Sequence, residues 1–252
     1  KITVIQQLII KEMLKAVIIS EAGYMNATTL KIIGIITMTI DHIGYILFPQ
    51  FVILRIIGRM AFPIFAYMIA EGCNYTKNKE KYFFSVFGTG LICSTAMYIT
   101  EKNLYQSILI TFACSIALIF TVEKIRRQTD GTQSKDKVIW VLIALGLIIA
   151  YYSLFQLKII HGLKTDYGFY GIITPVLVWL GSGKQEKLLA LALGLFLISI
   201  DTGGIQIFSF AALAILYLYN GERGKKAAKG FFYFYYPTHL AILYGIAQLI
   251  YK

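Results

Sequence analysis

The chain has 252 residues, 58% of them hydrophobic and only 15% charged, with a mean hydropathy of +0.68. A soluble domain averages about 45–50% apolar and about 25% charged residues, so an ordinary water-facing fold is excluded. The formal net charge is +11, from 24 basic and 13 acidic residues. With no basic-aromatic patch, that charge reads as loop charge orienting a membrane protein, and no nucleic-acid partner is expected.

In chain order, residues 1–24 come first. Ile2, Ile5, Ile9, Met13 and Val17 share one helical stripe, interrupted by Lys11, Glu12 and Lys15. An interfacial amphipathic helix is expected there, because the charges would break both a span and the apolar centre of a secretion signal. Met25 reads as an alternative start. Residues 25–252 are expected to form a single transmembrane domain. Apolar runs approaching the length needed to cross roughly 30 Å of hydrocarbon fall at 29–49, 51–71, 81–100, 104–122, 138–157, 167–181, 187–201, 204–220 and 230–250. Backbone polar groups in hydrocarbon must bond within their own segment, so these runs should be helices. The expected class is an all-α, polytopic integral membrane bundle of about 9–10 transmembrane helices, embedded in lipid. The sixth to eighth runs are short, and "DTGG" at 201–204 separates two of them as a helix stop.

Lys and Arg counts set the sidedness. If the chain enters its first span from the cytoplasm, the inner loops hold 14 basic residues and the outer loops 3. That asymmetry fits the positive-inside rule at every loop.

Ionisable residues inside spans are costly, and each requires a partner or a function. They are Asp41 and His42 in the first run, Arg55, Arg59 and Glu71 in the second, and His239 in the last; Asp166 and Asp201 stand at outer ends. At about 1.5 Å per residue, His42 lies roughly 20 Å and His239 roughly 14 Å from the inner ends of their helices. Arg55 and Arg59 share a helix face. Gly58 allows another helix close, and Pro63 is expected to bend its own. The short loop between the first two runs makes them antiparallel neighbours, so Asp41 can meet one of the arginines. Such a pair is more often a structural ion pair than an acid-base device. Glu71 is expected to snorkel to the inner interface, and His161 to be solvated. Cys73, Cys93 and Cys114 form neither a disulfide framework nor a metal spacing. No metal site is expected, since H-E-x-x-H is absent and the three histidines lie on distant segments. "GSGKQEK" lacks the spacing of a phosphate-binding loop.

Four stretches carry a family resemblance: "LKIIGIITMTIDHIGYILFP", "LRIIGRMAFPIFAYMIAEG", "TDYGFYGIITPVLVWL" and "YNGERGKKAAKGFFYFYYPTHLAILY". In that order they resemble the TraX family, over about residues 27–250. The family comprises bacterial inner-membrane proteins named for N-acetylation of conjugative F-pilin, grouped with transmembrane acyltransferases such as the acyltransferase-3 proteins. The resemblance implies an acetyl group taken from cytoplasmic acetyl-CoA and delivered to a peptide or pilin-like acceptor at or across the membrane. It implies His42 as the catalytic histidine, with Asp41, Arg55, Arg59 and His239 around it. Arg223, Lys225 and Lys226, together with Tyr236 and Glu71, are the expected contacts to acetyl-CoA. The chemistry is consistent: a histidine can take the amine proton and an arginine can steady the oxyanion. Direct transfer and an acetyl-histidine intermediate both remain open. Without the resemblance, buried Asp, His and Arg would suit a proton-coupled membrane transporter equally well.

Overall fold

The computed structural model describes residues 24–128, 134–224 and 230–251. The expected interfacial helix at 1–24 lies outside the described residues except for Tyr24. The rest is a helical bundle. Helix α1 spans Ala27–Ile46 and opens on Asn26, whose side chain accepts hydrogen bonds from the amides of Thr28 and Thr29. The second apolar run is split into α2, Val52–Gly58, and α3, Ala61–Tyr75. Pro63 explains the break: it lacks an N–H and its ring crowds the carbonyl four residues back, at Arg59, where the helix is interrupted. Helix α4 is Lys79–Glu101 and α5 is Ile108–Arg127. Helix α6, Ser134–Tyr151, ends in a π-helical turn at Tyr152–Gln156. Helix α7 is Gly168–Leu180 and α8 is Lys184–Thr202. Gly203 and Gly204, with φ of +66° and +58°, stop α8 as "DTGG" predicts, because only glycine holds that backbone without strain. A 3₁₀ segment, Gly204–Phe210, leads into α9, Ala211–Tyr217; α10 is Phe231–Ile250.

Five segments among the described residues are long and apolar enough to cross a membrane, from Ala27–Ile46 to Lys135–Gln156. Gly168–Leu180 and Gly204–Tyr217 are shorter apolar helices. Large apolar side chains such as Ile149, Leu189, Ile200 and Leu249 stand exposed on the outside, while charged groups lie within. This inversion of the soluble pattern is what hydrocarbon surroundings require. Helix α3 is central and packs on α1, α5 and α7, while α10 lies against α1 and α4. Close approach depends on small residues: a side chain at Gly194 would strike Thr174 across the α7–α8 contact. Ser115 donates to the Ile172 carbonyl at 2.7 Å, tying α5 to α7. The core between these helices is aliphatic, with Leu30, Ile64, Ile116, Ile172, Leu195 and Leu216 fully buried.

Two loops meet at one end of the bundle. Tyr105–Gln106 (β1) pairs in parallel with Lys164–Thr165 (β2), and the hydroxyls of Thr111 and Thr165 touch beneath them. This small clasp fixes the loops that border the cavity described next.

Candidate active site

Asp41 sits between both arginines. Arg55 Nη1 donates to Oδ2 at 2.6 Å and Arg59 Nη2 donates to Oδ1 at 2.5 Å. Sequence spacing led us to expect one partner; the hairpin supplies two. Gly58 makes this possible, because a Cβ there would overlap the Asp41 side chain. Two guanidiniums against one carboxylate leave a local excess of one positive charge. The remaining bonds of Arg59 are long, at 3.3 Å from Nε to the Arg55 carbonyl, 3.4 Å to Gln206 Oε1 and 3.5 Å to the Tyr167 hydroxyl. Arg55 keeps Nε and Nη2 free of protein acceptors among the described residues and lies over the Tyr45 ring at 4.9 Å.

His42 and His239, 197 residues apart, are in direct contact: His42 Nδ1 lies 2.9 Å from His239 Nε2. The histidines lie on distant segments of the sequence, and the packing of α10 against α1 brings these two together. His161 stands apart in an exposed loop. His239 Nδ1 lies 2.9 Å from the Tyr235 carbonyl oxygen. A carbonyl can only accept, so in a neutral His239 the proton is on Nδ1 and Nε2 accepts. His42 must then donate from Nδ1, which leaves the lone pair of its Nε2 as the open end of the chain. The Tyr235 ring stacks on His239 at 5.1 Å, and its hydroxyl pairs with Thr39 Oγ1 at 2.7 Å. His239 is therefore held from both sides.

A cavity of about 420 Å³ joins these groups. Asp41, His42, Arg55 and Arg59 line one part of it; Tyr105, Asp166, Tyr167 and Gln206 line the other. Tyr105 donates to Asp166 Oδ1 at 2.5 Å. Burial holds the Asp166 carboxyl above its ordinary 3.8, with the Tyr105 hydrogen bond and the charge of Arg59 pulling against it. Burial beside Asp166 pushes the Tyr105 phenol up, so it is a donor at any working pH. Tyr167 adopts a left-handed backbone, φ +62°, uncommon for an aromatic residue, and its ring lies 4.2 Å from that of Phe62.

Of the expected cofactor contacts, Tyr236 lines the cavity, its ring 6.4 Å from His42. Arg223 is exposed at the opposite end of α1, where its carbonyl accepts from Thr28 and its guanidinium lies over Tyr75. Lys225 and Lys226 lie outside the described residues. Glu71 does not snorkel: it is buried and bound to Lys187 at 2.6 Å. In hydrocarbon a buried carboxylate needs a fixed cation, and α8 brings one. No group of three or more metal-ligating side chains occurs among the described residues, and the cysteines described are free. Tyr105, Tyr167, Tyr235 and Gln206 are site residues that sequence reasoning passed over. Tyr235 had a signal, standing four residues before His239 on the same helix face; Tyr105 on β1, Tyr167 just before α7 and Gln206 in the 3₁₀ segment come together in a way that has no local trace.

The fold and the site define a helical membrane protein with a charged, histidine-containing cavity buried among its spans. The TraX protein family model matches residues 26–247, and the chain belongs to that family. It is similar to the probable fimbrial assembly protein FimC, serogroup H1, of Dichelobacter nodosus, at 24% identity covering 86% of this chain and 94% of the relative. A shorter stretch of 53 residues is 49% identical to the uncharacterized protein RP591 of Rickettsia prowazekii (strain Madrid E), covering 21% of each chain. No solved structure matches.

Proposed function

We propose that this chain is a membrane-embedded acetyltransferase that moves an acetyl group from cytoplasmic acetyl-CoA to the N-terminal amine of an exported, pilin-like peptide. The observation that carries the reading is the relay from the Tyr235 carbonyl through His239 to His42, which leaves His42 Nε2 as a proton acceptor in a cavity beside two arginines. Acetyl-CoA supplies an activated thioester carbonyl. As the acceptor nitrogen attacks that carbon, His42 Nε2 removes its proton, and the carbonyl electrons move onto oxygen. Arg55, with donors to spare, faces that oxyanion better than Arg59, whose donors are already engaged. When the carbon–sulfur bond breaks, His42 returns the proton to the departing thiolate, so CoA leaves as the thiol and no charge accumulates.

The positive-inside count supports a bacterial inner-membrane protein with the loops around 72–81, 123–137, 182–187 and 221–229 in the cytoplasm. The cavity rim formed by 103–107, 166–167 and 202–206 then faces outward, toward the acceptor. Arg223 stands at the cytoplasmic end, where an anionic nucleotide would meet it, and Lys225 and Lys226 continue that basic run in sequence. Tyr236 would border the acyl end instead. Glu71 would serve by holding Lys187.

Purified protein given acetyl-CoA and a synthetic peptide with a free N-terminus should yield N-acetylated peptide by mass spectrometry. His42→Ala should lower the rate by about 10²–10⁴-fold while melting like the parent and still retaining acetyl-CoA. A His42→Ala variant that acetylates at the parental rate would overturn the reading. Parent protein that neither binds CoA nor consumes thioester would move the transporter reading ahead.

A further inference from the structure

Two carboxylates line the cavity, and their surroundings differ. Asp41 has both oxygens taken by guanidiniums at 2.6 and 2.5 Å. Asp166 accepts from the Tyr105 hydroxyl at 2.5 Å and from the Ile108 backbone, and no cation lies within ion-pair distance of it among the described residues. A carboxylate offers about four acceptor positions, so about half of its capacity is open. A charge left this way in a largely enclosed space is costly unless something completes it. The walls are aromatic: Phe62, Tyr167 and Tyr236 line the same cavity. Ring faces around a carboxylate favour a cation, and a compact ammonium with three donors fits the open acceptor positions.

We infer that Asp166 is the docking residue for the acceptor, holding its protonated amino group at the outer side of the cavity, across from His42. The inference rests on the acetyltransferase reading and specifies what the acceptor must carry: a primary amine that arrives as an ammonium ion, with no side chain recognised at this point. The clasp of β1 on β2, and the Thr111 hydroxyl donating to the Asp166 carbonyl at 3.1 Å, hold the carboxylate in place before any acceptor arrives. Asp166 is a positioning residue: the docked ammonium first releases one proton to the outer solvent, which exposes its lone pair, and the second proton, lost as the carbon–nitrogen bond forms, goes to His42 and on to the departing thiolate.

The competing role is structural, with Asp166 present only to anchor Tyr105. Direct binding separates the two. Full-length protein in detergent is titrated with a tripeptide amide bearing a free N-terminus and with its N-acetylated twin. The parent should bind the free-amine peptide about 10- to 100-fold more tightly, the range of a charge-assisted hydrogen bond. Asp166→Asn keeps the shape and an acceptor for Tyr105, and should erase that preference. Tyr105→Phe removes the anchoring hydroxyl and should preserve it. The inference is overturned if the parent shows no preference, if Asp166→Asn retains it, or if Tyr105→Phe erases it equally. Acetyl transfer is scored separately. A preference without transfer sinks the enzyme reading alone, and transfer without an Asp166-dependent preference sinks this inference alone.

Discussion

The direction of one hydrogen bond governs whether His42 can serve as a base. His239 Nδ1 faces a carbonyl, so its Nε2 must accept, and that forces the proton of His42 onto Nδ1. Swapping the acceptor therefore tests the relay better than deleting it. His239→Gln can present a carbonyl oxygen to His42 Nδ1, whereas His239→Ala leaves that donor unpaired and the ring free to turn. The glutamine variant should retain most of the parental acetylation rate. The alanine variant should lose about 10-fold or more, as expected for a positioning group whose loss misaligns a general base. Equal rates for the two would mean that His239 only fills space. His42, Asp41, Arg55 and Arg59 could all be picked out from the sequence, because a charge in an apolar run is conspicuous wherever it lies. The His42–His239 bond could not, since its members are 197 positions apart and nothing local to either encodes the other. Asp166 was visible only as a loop acid; its open acceptor positions became apparent once Tyr105 and the arginines had been located.

At the scale of elements, the interruption between α2 and α3 shapes the site. Pro63 weakens the ladder at Arg59, and the chain turns there before resuming as α3. Gly58 lies at the point of closest approach to α1, with no room for a side chain beside Asp41. Gly58→Ala should therefore push the hairpin apart and cost about 1–3 kcal/mol by overpacking, with a larger loss of acetylation as the guanidiniums leave their carboxylate. A melting curve and a rate for the same preparation check both; unchanged values would show that the hairpin can yield without harm. A bend at Pro63 and close packing at Gly58 follow from elementary stereochemistry, so both could be anticipated. The exact place of the break, and the pairing of Asp41 with both arginines, depend on how α1 docks, which spacing alone does not specify.

For the whole molecule, the two halves of the site differ in how far along the chain their members lie. Asp41 meets Arg55 and Arg59 within 18 residues, inside a hairpin. His42 must wait for α10. Chains emerge from the ribosome N-terminal end first, so the hairpin can pair Asp41 with both arginines soon after it is made and enter the bilayer carrying one net positive charge there instead of three separate charges. The proton relay exists only once the last described helix has been translated and has found its slot between α1 and α4. On the proposed acetyltransferase reading, a nascent chain could not turn over thioester before that helix is in place. If α10 docks as an independent unit, a gene cut between codons 224 and 230 and expressed as two pieces should regain acetylation in membranes holding both fragments, with none from either alone. Failure of the paired fragments to associate would show instead that the connecting segment is needed to guide the final helix home.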